Sequence, residues 1–314
     1  MKEHWSYIIN EDSTLTITGY RGESLNIIVP EKIRGKRVAD IDGLAFSSEA
    51  PHIHATTRIS RQKIENIYIP AGIKFVPSID DLPKNLKKIT CPDSTIDALV
   101  SATSRSRLRP RFALRNLEEI QPVETHSNYA MDQGIIYDIE KSILYYLLPQ
   151  SKSTNITISN SVRIICPNAF YGGSFNQICI PDSVVEIGNN ALYACKAKKL
   201  VLGGGIPKPS TNIFGWSIIS SMPCYMSFEE IEFREGITHL PQCFGKMKEL
   251  KKVFLPRSLV FVPDKAFYYR PDIKTDFFDY LERGEASEMT LVVYRGSYAE
   301  QYALKYGYHI EYAD

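Results

Sequence analysis

The sequence predicts a solenoid of stacked coils, mostly β with irregular returns, in which each coil adds one short strand to a parallel sheet. The first observation is a repeat of 22 residues, because ITISNSVRIICPNAF at 156–170 returns in pattern as ICIPDSVVEIGNNAL at 178–192. The second is that a short strand followed by apolar residues four and seven positions later recurs near 67, 231 and 253. A fixed period in this range is typical of solenoids whose coils each contribute one strand.

The repeat unit has a direct physical interpretation. Ile178 and Ile180 point inward and Cys179 points outward, because side chains alternate along a strand. Pro181 has no amide proton and ends the strand's hydrogen bonding. One coil cannot bury its own apolar face, whereas stacked coils with parallel strands about 4.8 Å apart can.

The repeats predict a solenoid over 27–289 with a protected end on each side. Residues 1–26 alternate polar and apolar residues across a turn, which predicts a capping hairpin. Residues 290–314 contain Ser297 and Glu300 at the spacing of a capping box, which predicts a short helix in a C-terminal cap. Caps are expected because the end coils of a solenoid otherwise expose core residues and strand edges.

Three segments interrupt the rhythm of the repeat. Residues 129–149 contain two apolar runs on either side of a polar turn, which predicts a β-hairpin insertion. Residues 96–128 and 203–228 fit neither the repeat nor the hairpin pattern, so we expect them to be irregular. Specificity particular to this protein is expected in these segments.

The composition excludes several classes of function. The 314 residues carry a net charge of +1, so no global field attracts nucleic acid. The sequence has no apolar run long enough to span a membrane. The first residues lack the apolar segment of a signal peptide, which leaves a cytoplasmic location open beside that of a protein whose leader is not in this sequence.

The six cysteines of the sequence match no zinc pattern. Several of them fall inside repeat units where a small apolar residue fits, so free and mostly buried thiols are expected. A disulfide framework is the alternative, and it is more typical of shorter secreted chains.

Four segments resemble one known family. IPDSVVEIGNNALYAC at 180–195 is similar to the repeat of BspA-type leucine-rich repeat proteins, I-P-x-S-V-x-x-I-G-x-x-A-F-x-x-C. LTITGYRG at 15–22 resembles the strand that begins many of these domains. The segments 134–149 and 294–312 resemble an insertion found before a repeat and the usual C-terminal end of the family.

The resemblance implies a leucine-rich-repeat solenoid and a kind of function. Members of the family are mostly surface or secreted proteins of host-associated bacteria and some protists, implicated in adhesion and protein binding. They share no catalytic residues, so the expectation is a non-enzymatic protein without cofactor or metal that binds a protein or glycan. The alternatives are a structural spacer without its own ligand and an enzyme whose site lies in the irregular segments.

The outward positions of the strands form the main candidate binding surface. In stacked coils they lie side by side as a stripe of low charge on one sheet face. Tyr68 and Phe254 are of the residue types that anchor interfaces. The alternative is that these positions vary freely under a covering insertion. The predicted stripe consists of Tyr68, Thr90, Thr157, Cys179, Val201, Glu232 and Phe254.

The densest positive charge of the chain is a second candidate surface. Arg105, Arg107, Arg109 and Arg111 could contact a protein partner, phosphates or sulfated glycans. Stacking aromatic residues are not interleaved with them, which disfavours nucleic acid. A solvated charged face is the alternative.

Three other patterns suggest chemistry only weakly. The pair at 52–54 places two histidines on one face of an extended segment, but no further metal ligand lies near. His239 and Cys243 imitate a base and a nucleophile, yet Cys243 stands at a repeat core position. The glycines at 203–205 are followed by prolines that prevent a phosphate-binding helix.

Overall fold

The chain folds into two compact units, which we call the N-terminal unit (1–140 and 145–152) and the C-terminal unit (141–144 and 153–314). This division falls within the predicted solenoid, at the hairpin insertion. The computed structural model describes residues 4–47, 55–77, 82–105, 116–148, 150, 154–210, 213, 226–241, 247, 249–264, 266–269, 285–286 and 288–313.

The N-terminal unit contains a parallel sheet in the order β3-β6-β8-β9 and a second sheet in which β1 pairs with β2, β2 with β5, and β5 with β4 and β7. Strands β10 and β11 pair antiparallel. The elements are β1 (Trp5–Ile9), β2 (Leu15–Tyr20), β3 (Asn26–Ile28), β4 (Lys32–Ile33), β5 (Lys36–Ile41), α1 (Ala55–Gln62), β6 (Asn66–Tyr68), β7 (Lys74–Phe75), β8 (Lys88–Cys91), α2 (Asp93–Arg105), β9 (Glu119–Pro122), β10 (Tyr129–Asp132) and β11 (Ile135–Asp138).

The C-terminal unit is built on a seven-stranded sheet in the order β13-β15-β17-β18-β19-β22-β23, and its six neighbouring pairs are all parallel. The next strand of the chain, β12 (Ile143–Leu147), begins in this unit. The further elements are β13 (Asn155–Thr157), β14 (Ile164–Ile165), β15 (Ser174–Ile180), β16 (Glu186–Ile187), β17 (Lys196–Leu202), β18 (Ser227–Phe233), β19 (Lys252–Phe254), β20 (Tyr268–Tyr269), β21 (Glu285–Ala286), β22 (Thr290–Val293), α3 (Tyr298–Tyr306) and β23 (His309–Tyr312).

The repeat of the sequence sets the register of this sheet. Ile156 pairs with Ile178 and Ile178 with Leu200, so each coil adds one strand in phase. All three side chains are buried, so these successive coils turn their apolar faces to the core of the C-terminal unit. The predicted mostly-β solenoid of parallel strands is confirmed.

The segment 203–228 lengthens one coil and keeps the sheet in register. Leu200 pairs with Ile231, 31 positions later, and the strands on either side remain parallel. Strand β18 begins at Ser227, so the end of the predicted irregular segment is regular structure. Because strand pairing fixes only the strand positions, extra residues are accommodated in the return of the coil.

The expectation that 96–128 is irregular is wrong for a large part of that segment. Residues 93–105 form helix α2 and residues 119–122 form strand β9. Four of the buried residues of the helix, Ile96, Leu99, Val100 and Thr103, follow the spacing of one helical face, and Thr95 is buried beside them. This spacing is present in the sequence, and it indicates a helix in the connection between β8 and β9.

Helix α2 is tied to the loop after β9 through its first residue. The Ser127 hydroxyl donates to Asp93 Oδ1 at 2.6 Å, and the Asn128 backbone N–H donates to Asp93 Oδ2 at 2.7 Å. The Thr95 hydroxyl donates to the Phe75 carbonyl at 2.9 Å. These bonds fix the helix against two neighbouring segments of the N-terminal unit.

The hairpin predicted at 129–149 is one part of a longer arrangement. Strand β11 is hydrogen-bonded to β12, as the prediction requires. Strand β10 adds a second antiparallel pair with β11 through a turn at Gln133 and Gly134, which both have positive φ. Glycine and amide side chains tolerate this backbone region, which explains the tight turn.

Regular capping structure is present at both ends of the described chain. Strands β1 and β2 pair antiparallel. The Ser297 hydroxyl accepts a bond from the Glu300 N–H at 3.1 Å, and Glu300 Oε2 accepts one from the Gly296 N–H at 2.7 Å. Gly307, with φ of 73°, ends α3 in the left-handed conformation.

The described cysteines are free thiols in different environments. Cys91 and Cys195 are buried, whereas Cys166 and Cys179 are partly exposed. Burial strongly raises the pKa of the Cys91 thiol and raises the pKa of Cys166 to about 11. Cys224 and Cys243 lie outside the described residues.

Alkylation of the native protein is therefore expected to be slow at Cys91 and Cys166. At pH 8 a thiol with the pKa of Cys166 holds on the order of a hundredfold less reactive thiolate than an unperturbed cysteine. Peptide mapping after iodoacetamide treatment measures each site, and the urea-unfolded protein serves as the control. Equal rates at Cys91 in folded and unfolded protein would contradict its burial.

Candidate functional site

Five residues of the predicted stripe lie side by side on the outer face of the C-terminal unit's sheet. The strand register pairs Thr157 with Cys179, Cys179 with Val201, Val201 with Glu232 and Glu232 with Phe254. Alternation along the strand places these residues opposite the buried core residues. We call this line the outer row, and the register extends it to Val292 and Glu311.

Tyr68 and Thr90 stand in the other unit, on the parallel sheet of β3, β6, β8 and β9. They pair with each other, and Tyr68 also pairs with Ile28. Ile28 is 73% exposed and Tyr68 is 41% exposed, so the two form an apolar pair on the surface. Sequence reasoning missed Ile28, although it occupies the outward position of its repeat.

Val201 does not meet the expectation of an exposed side chain, because it is only 2% exposed. Strand β17 lies between β15 and β18. Arg234, which follows β18, brings its Nη2 to 3.8 Å from the Cys179 Sγ on β15. The arginine therefore crosses over β17 and covers Val201.

Phe254 is held by two lysines on the same sheet face. The Lys199 Nζ lies 5.1 Å and the Lys252 Nζ 5.4 Å from the centroid of its ring. Each such cation–π contact contributes about 0.5–1 kcal/mol at a partly exposed site. The sequence signal for these lysines is their outward position two residues before the outer row.

Ion pairs link the lysines to carboxylates of the outer row. Lys199 Nζ lies 2.6 Å from Glu232 Oε2, and Lys252 Nζ lies 2.7 Å from Glu311 Oε2. Arg234 Nε approaches Glu232 Oε1 at 3.7 Å. Partly exposed pairs add at most about 1 kcal/mol each, so their main effect is to order the side chains around Phe254.

A groove lies beside Phe254 at the carboxyl ends of the strands. Its volume is about 350 Å³, and its lining includes Phe254, Val292, Tyr294, Arg234 and Glu232. Val292 is only 4% exposed and forms part of the floor. We call it the Phe254 groove. It combines aromatic rings with a cation and a carboxylate in one concavity.

The predicted basic surface lies almost wholly outside the described residues. Arg105 is the last residue of α2, and nothing of its side chain is described. Arg107, Arg109 and Arg111 lie beyond the helix in residues that are not described. The basic surface stays a prediction.

The glycines at 203–205 serve the stacking of coils. A Cβ at Gly204 would overlap the Glu235 carbonyl oxygen, and a Cβ at Gly205 would overlap the Asp182 and Val184 carbonyl oxygens. The backbone of neighbouring coils occupies the space that a side chain needs. This close approach accounts for the glycine run.

The remaining weak patterns provide no site in the described part of the chain. His239 packs its ring 5.5 Å from that of Phe261, and the Thr238 hydroxyl lies 2.9 Å from its Nδ1. Cys243 and the histidines at 52–54 lie outside the described residues. Within the described residues, no group of three His, Cys, Asp or Glu residues is arranged to hold a metal.

The repeats identify the class of protein. Residues 141–274 match the family model for the BspA type leucine rich repeat region, in six copies. Over these residues the chain is similar to BspA-type leucine-rich repeat proteins, which confirms the resemblance predicted from its sequence. No curated protein matches the sequence. Among the described residues, no helix is long and apolar enough to cross a membrane.

The chain is similar to several solved structures of leucine-rich repeat proteins and surface proteins. A leucine rich cell surface protein from Faecalibacterium prausnitzii is 16% identical over 85% of this chain and 91% of that one, with a TM-score of 0.38. A leucine-rich repeat protein from Eubacterium ventriosum is 14% identical over 83% of this chain and 82% of that one, with a TM-score of 0.37. The pneumococcal vaccine antigen PcpA is 13% identical over 100% of this chain and 98% of that one, with a TM-score of 0.36.

Proposed function

We propose that this protein is a non-enzymatic binding protein that recognises a protein or glycan partner through the outer faces of its parallel sheets. The observation that carries the proposal is Phe254, an aromatic residue on an outer sheet face between two ordered lysines. Resemblance to BspA-type proteins supports a location at the cell surface or outside the cell and a role in adhesion.

The composition of the outer faces favours binding over a purely structural role. A spacer has no need of Phe254 in the outer row, or of Ile28 and Tyr68 exposed on the sheet of the N-terminal unit. Aromatic residues are enriched in the energetic centres of interfaces, where ordered neighbours exclude water. The ion pairs around Phe254 supply such neighbours.

The basic surface is a second proposed contact of the same partner. Arg105, Arg107, Arg109 and Arg111 carry enough charge density to bind sulfate or carboxylate groups of a glycan. Their contribution would make binding fall with salt concentration, because exposed charges are screened.

Replacing Phe254 and Tyr68 with Ala, singly and together, is expected to weaken partner binding. Each anchor truncation should cost about 2 kcal/mol, or roughly thirtyfold in Kd, where the anchor is central to the interface. The probes are a glycan array and immobilised extracellular-matrix proteins, and Kd is measured by biolayer interferometry for each probe that the wild type binds.

Val260→Ala is the matched control, because Val260 is an exposed apolar residue of the C-terminal unit outside the outer row. Circular dichroism melts verify that every variant is folded. Unchanged Kd in the folded double variant would exclude the sheet faces as the binding surface. A wild type that binds none of the probes would favour the spacer instead.

A further inference from the structure

We propose that the Phe254 groove binds one uncharged pyranose unit of a glycan. The inference rests on the proposed binding function and assigns it one chemical class of ligand. The groove volume of about 350 Å³ lies at the small end of the range for small-molecule sites. A single sugar ring is a ligand of that scale, whereas a folded protein surface contacts a much larger area.

The groove offers apolar surface on its floor and walls. Val292 and Leu255 form buried parts of the lining, and the rings of Phe254 and Tyr294 border it. The Arg257 guanidinium carbon lies 4.4 Å from the centroid of the Tyr294 ring, which holds the tyrosine in place. A sugar ring presents C–H groups on its faces, and these pack against aromatic and aliphatic side chains.

Hydrogen-bonding capacity in the groove comes from Arg234. Its Nη2 donates to Cys179 Sγ at 3.8 Å and its Nε lies 3.7 Å from Glu232 Oε1, so these contacts engage only part of the guanidinium. A planar guanidinium carries five N–H donors in a fixed fork. Two neighbouring sugar hydroxyls match the spacing of such a fork, as a carboxylate does.

Acceptors lie on the same rim. The groove lining includes Asp182, Glu232 and Glu235. Asp182 Oδ1 accepts a bond from the Gly204 N–H at 2.9 Å, which orients that carboxylate. Carboxylates accept from sugar hydroxyls through up to four lone-pair directions, so donors and acceptors both face the ligand.

The groove lining carries three carboxylates and one guanidinium, so it disfavours an anionic ligand. Each carboxylate already has a donor of the protein as its partner, which leaves it little attraction for a further cation. Lys199 and Arg234 approach Glu232, while the carboxylate oxygens of Glu235 accept the backbone N–H groups of Arg257 and Ser258 at 2.8 and 3.0 Å. An anionic ligand would meet carboxylates, and a cationic ligand would meet lysine and arginine. Complementarity is therefore best for a partner with hydroxyls and no net charge.

The experiment uses the full chain and simple sugar probes. Saturation-transfer NMR and calorimetry are run with methyl glycosides of glucose, mannose, galactose and N-acetylglucosamine, and with methyl glucuronide and methyl glucosaminide as charged analogues. We expect at least one neutral glycoside to bind with a Kd of about 1 mM, the range of a small ligand with few contacts. The charged analogues are expected to bind more weakly.

Variants locate the binding in the groove. Arg234→Met keeps the length of the side chain and removes its donors, and it is expected to raise Kd about tenfold. Tyr294→Leu removes the aromatic ring that borders the groove and is expected to raise Kd severalfold. Arg163→Met is the matched control, because it makes the same chemical change at an exposed arginine of the C-terminal unit outside the groove, and its Kd is expected to equal that of the wild type.

Three results would overturn the inference: no saturation transfer from any neutral glycoside, a Kd unaffected by Arg234→Met, or tighter binding of a charged analogue. A failure of the sugar-binding inference can be distinguished from a failure of the proposed function. If Phe254→Ala weakens capture of a matrix protein while no glycoside binds, the groove holds no sugar and the partner is a protein. If the folded Tyr68 and Phe254 double variant keeps its partner affinity, the sheet-face proposal itself fails.

Discussion

Gly204→Ala is expected to destabilise the C-terminal unit by about 3 kcal/mol or more, above the usual cost of overpacking. The new Cβ would overlap the Glu235 carbonyl oxygen, which belongs to the next coil. Backbone atoms cannot rotate away as a flexible side chain can. The two coils would have to separate, and the parallel pairing of β17 with β18 links those coils.

Chemical denaturation followed by circular dichroism measures this loss. Gly296→Ala is the matched control, because Gly296 has a φ of 71° but nothing within 4 Å of its added Cβ. Its cost is that of left-handed backbone alone, about 1 kcal/mol. If the two variants lose the same free energy of unfolding, the contact between coils at Gly204 does not contribute to stability as expected.

Arg61→Leu is expected to destabilise the N-terminal unit by about 3 kcal/mol, the magnitude for breaking buried charge-assisted contacts. Arg61 lies on α1 and is only 6% exposed. Its Nε donates to the Tyr20 carbonyl at 3.0 Å, and its Nη1 donates to the Ser47 carbonyl at 2.8 Å. Removing the guanidinium leaves these carbonyls without their donor.

Burial lowers the pKa of Arg61, but an arginine remains charged at neutral pH. The charge is therefore solvated by the backbone carbonyls themselves. Gly19 makes room for it, because an added Cβ there would lie 2.7 Å from the Arg61 Nη2. The guanidinium thus joins α1 to the end of β2 and to the segment that follows β5.

Thermal and urea denaturation of Arg61→Leu provide the measurement. Arg58→Leu is the matched control, since it makes the same change at an exposed position of the same helix, and its effect should stay within about 0.5 kcal/mol. Arg61→Lys should fall between the two, because an ammonium keeps the charge but cannot reach several carbonyls in one plane. If Arg61→Leu is as stable as Arg58→Leu, the guanidinium of Arg61 does not contribute to the stability of this unit.

The sequence predicts some insertions better than others. The hairpin at 129–149 has two apolar runs and a polar turn, and the structure contains its two strands. Helix α2 is preceded by Pro92 and carries apolar residues at 96, 99 and 100 with a buried threonine at 103, so a helical signal is present in the sequence. The helical spacing of these residues, which differs from the 22-residue repeat, predicts the helix within this interruption.

Helix α1 is harder to predict from the sequence. Only eight residues form it, and their apolar content is low, so few apolar residues are there to indicate a helix. From the sequence Arg61 is expected at the surface, because arginine is rarely buried unless it is paired, whereas in the structure it is buried. Its partners are the backbone carbonyls of residues 20 and 47, and backbone partners cannot be predicted from the residue types of a sequence.

The sequence by itself determined the parallel stacking of the coils and the residues that face the core. Inward positions such as Ile156, Ile178 and Leu200 repeat with the coil, and burial of apolar area acts on every coil in the same way. Local alternation then fixes which residues belong to the outer row.

The tertiary structure alone decided which outer positions are available to a partner. Arg234 covers Val201 from the neighbouring coil, and Lys199 reaches Phe254 from two strands away. The Phe254 groove draws its lining from the three neighbouring strands β18, β19 and β22 and from the segments that follow these strands and strands β15 and β23. Long polar side chains bridge coils that are far apart in sequence, so exposure depends on packing between strands and not on the pattern within one repeat.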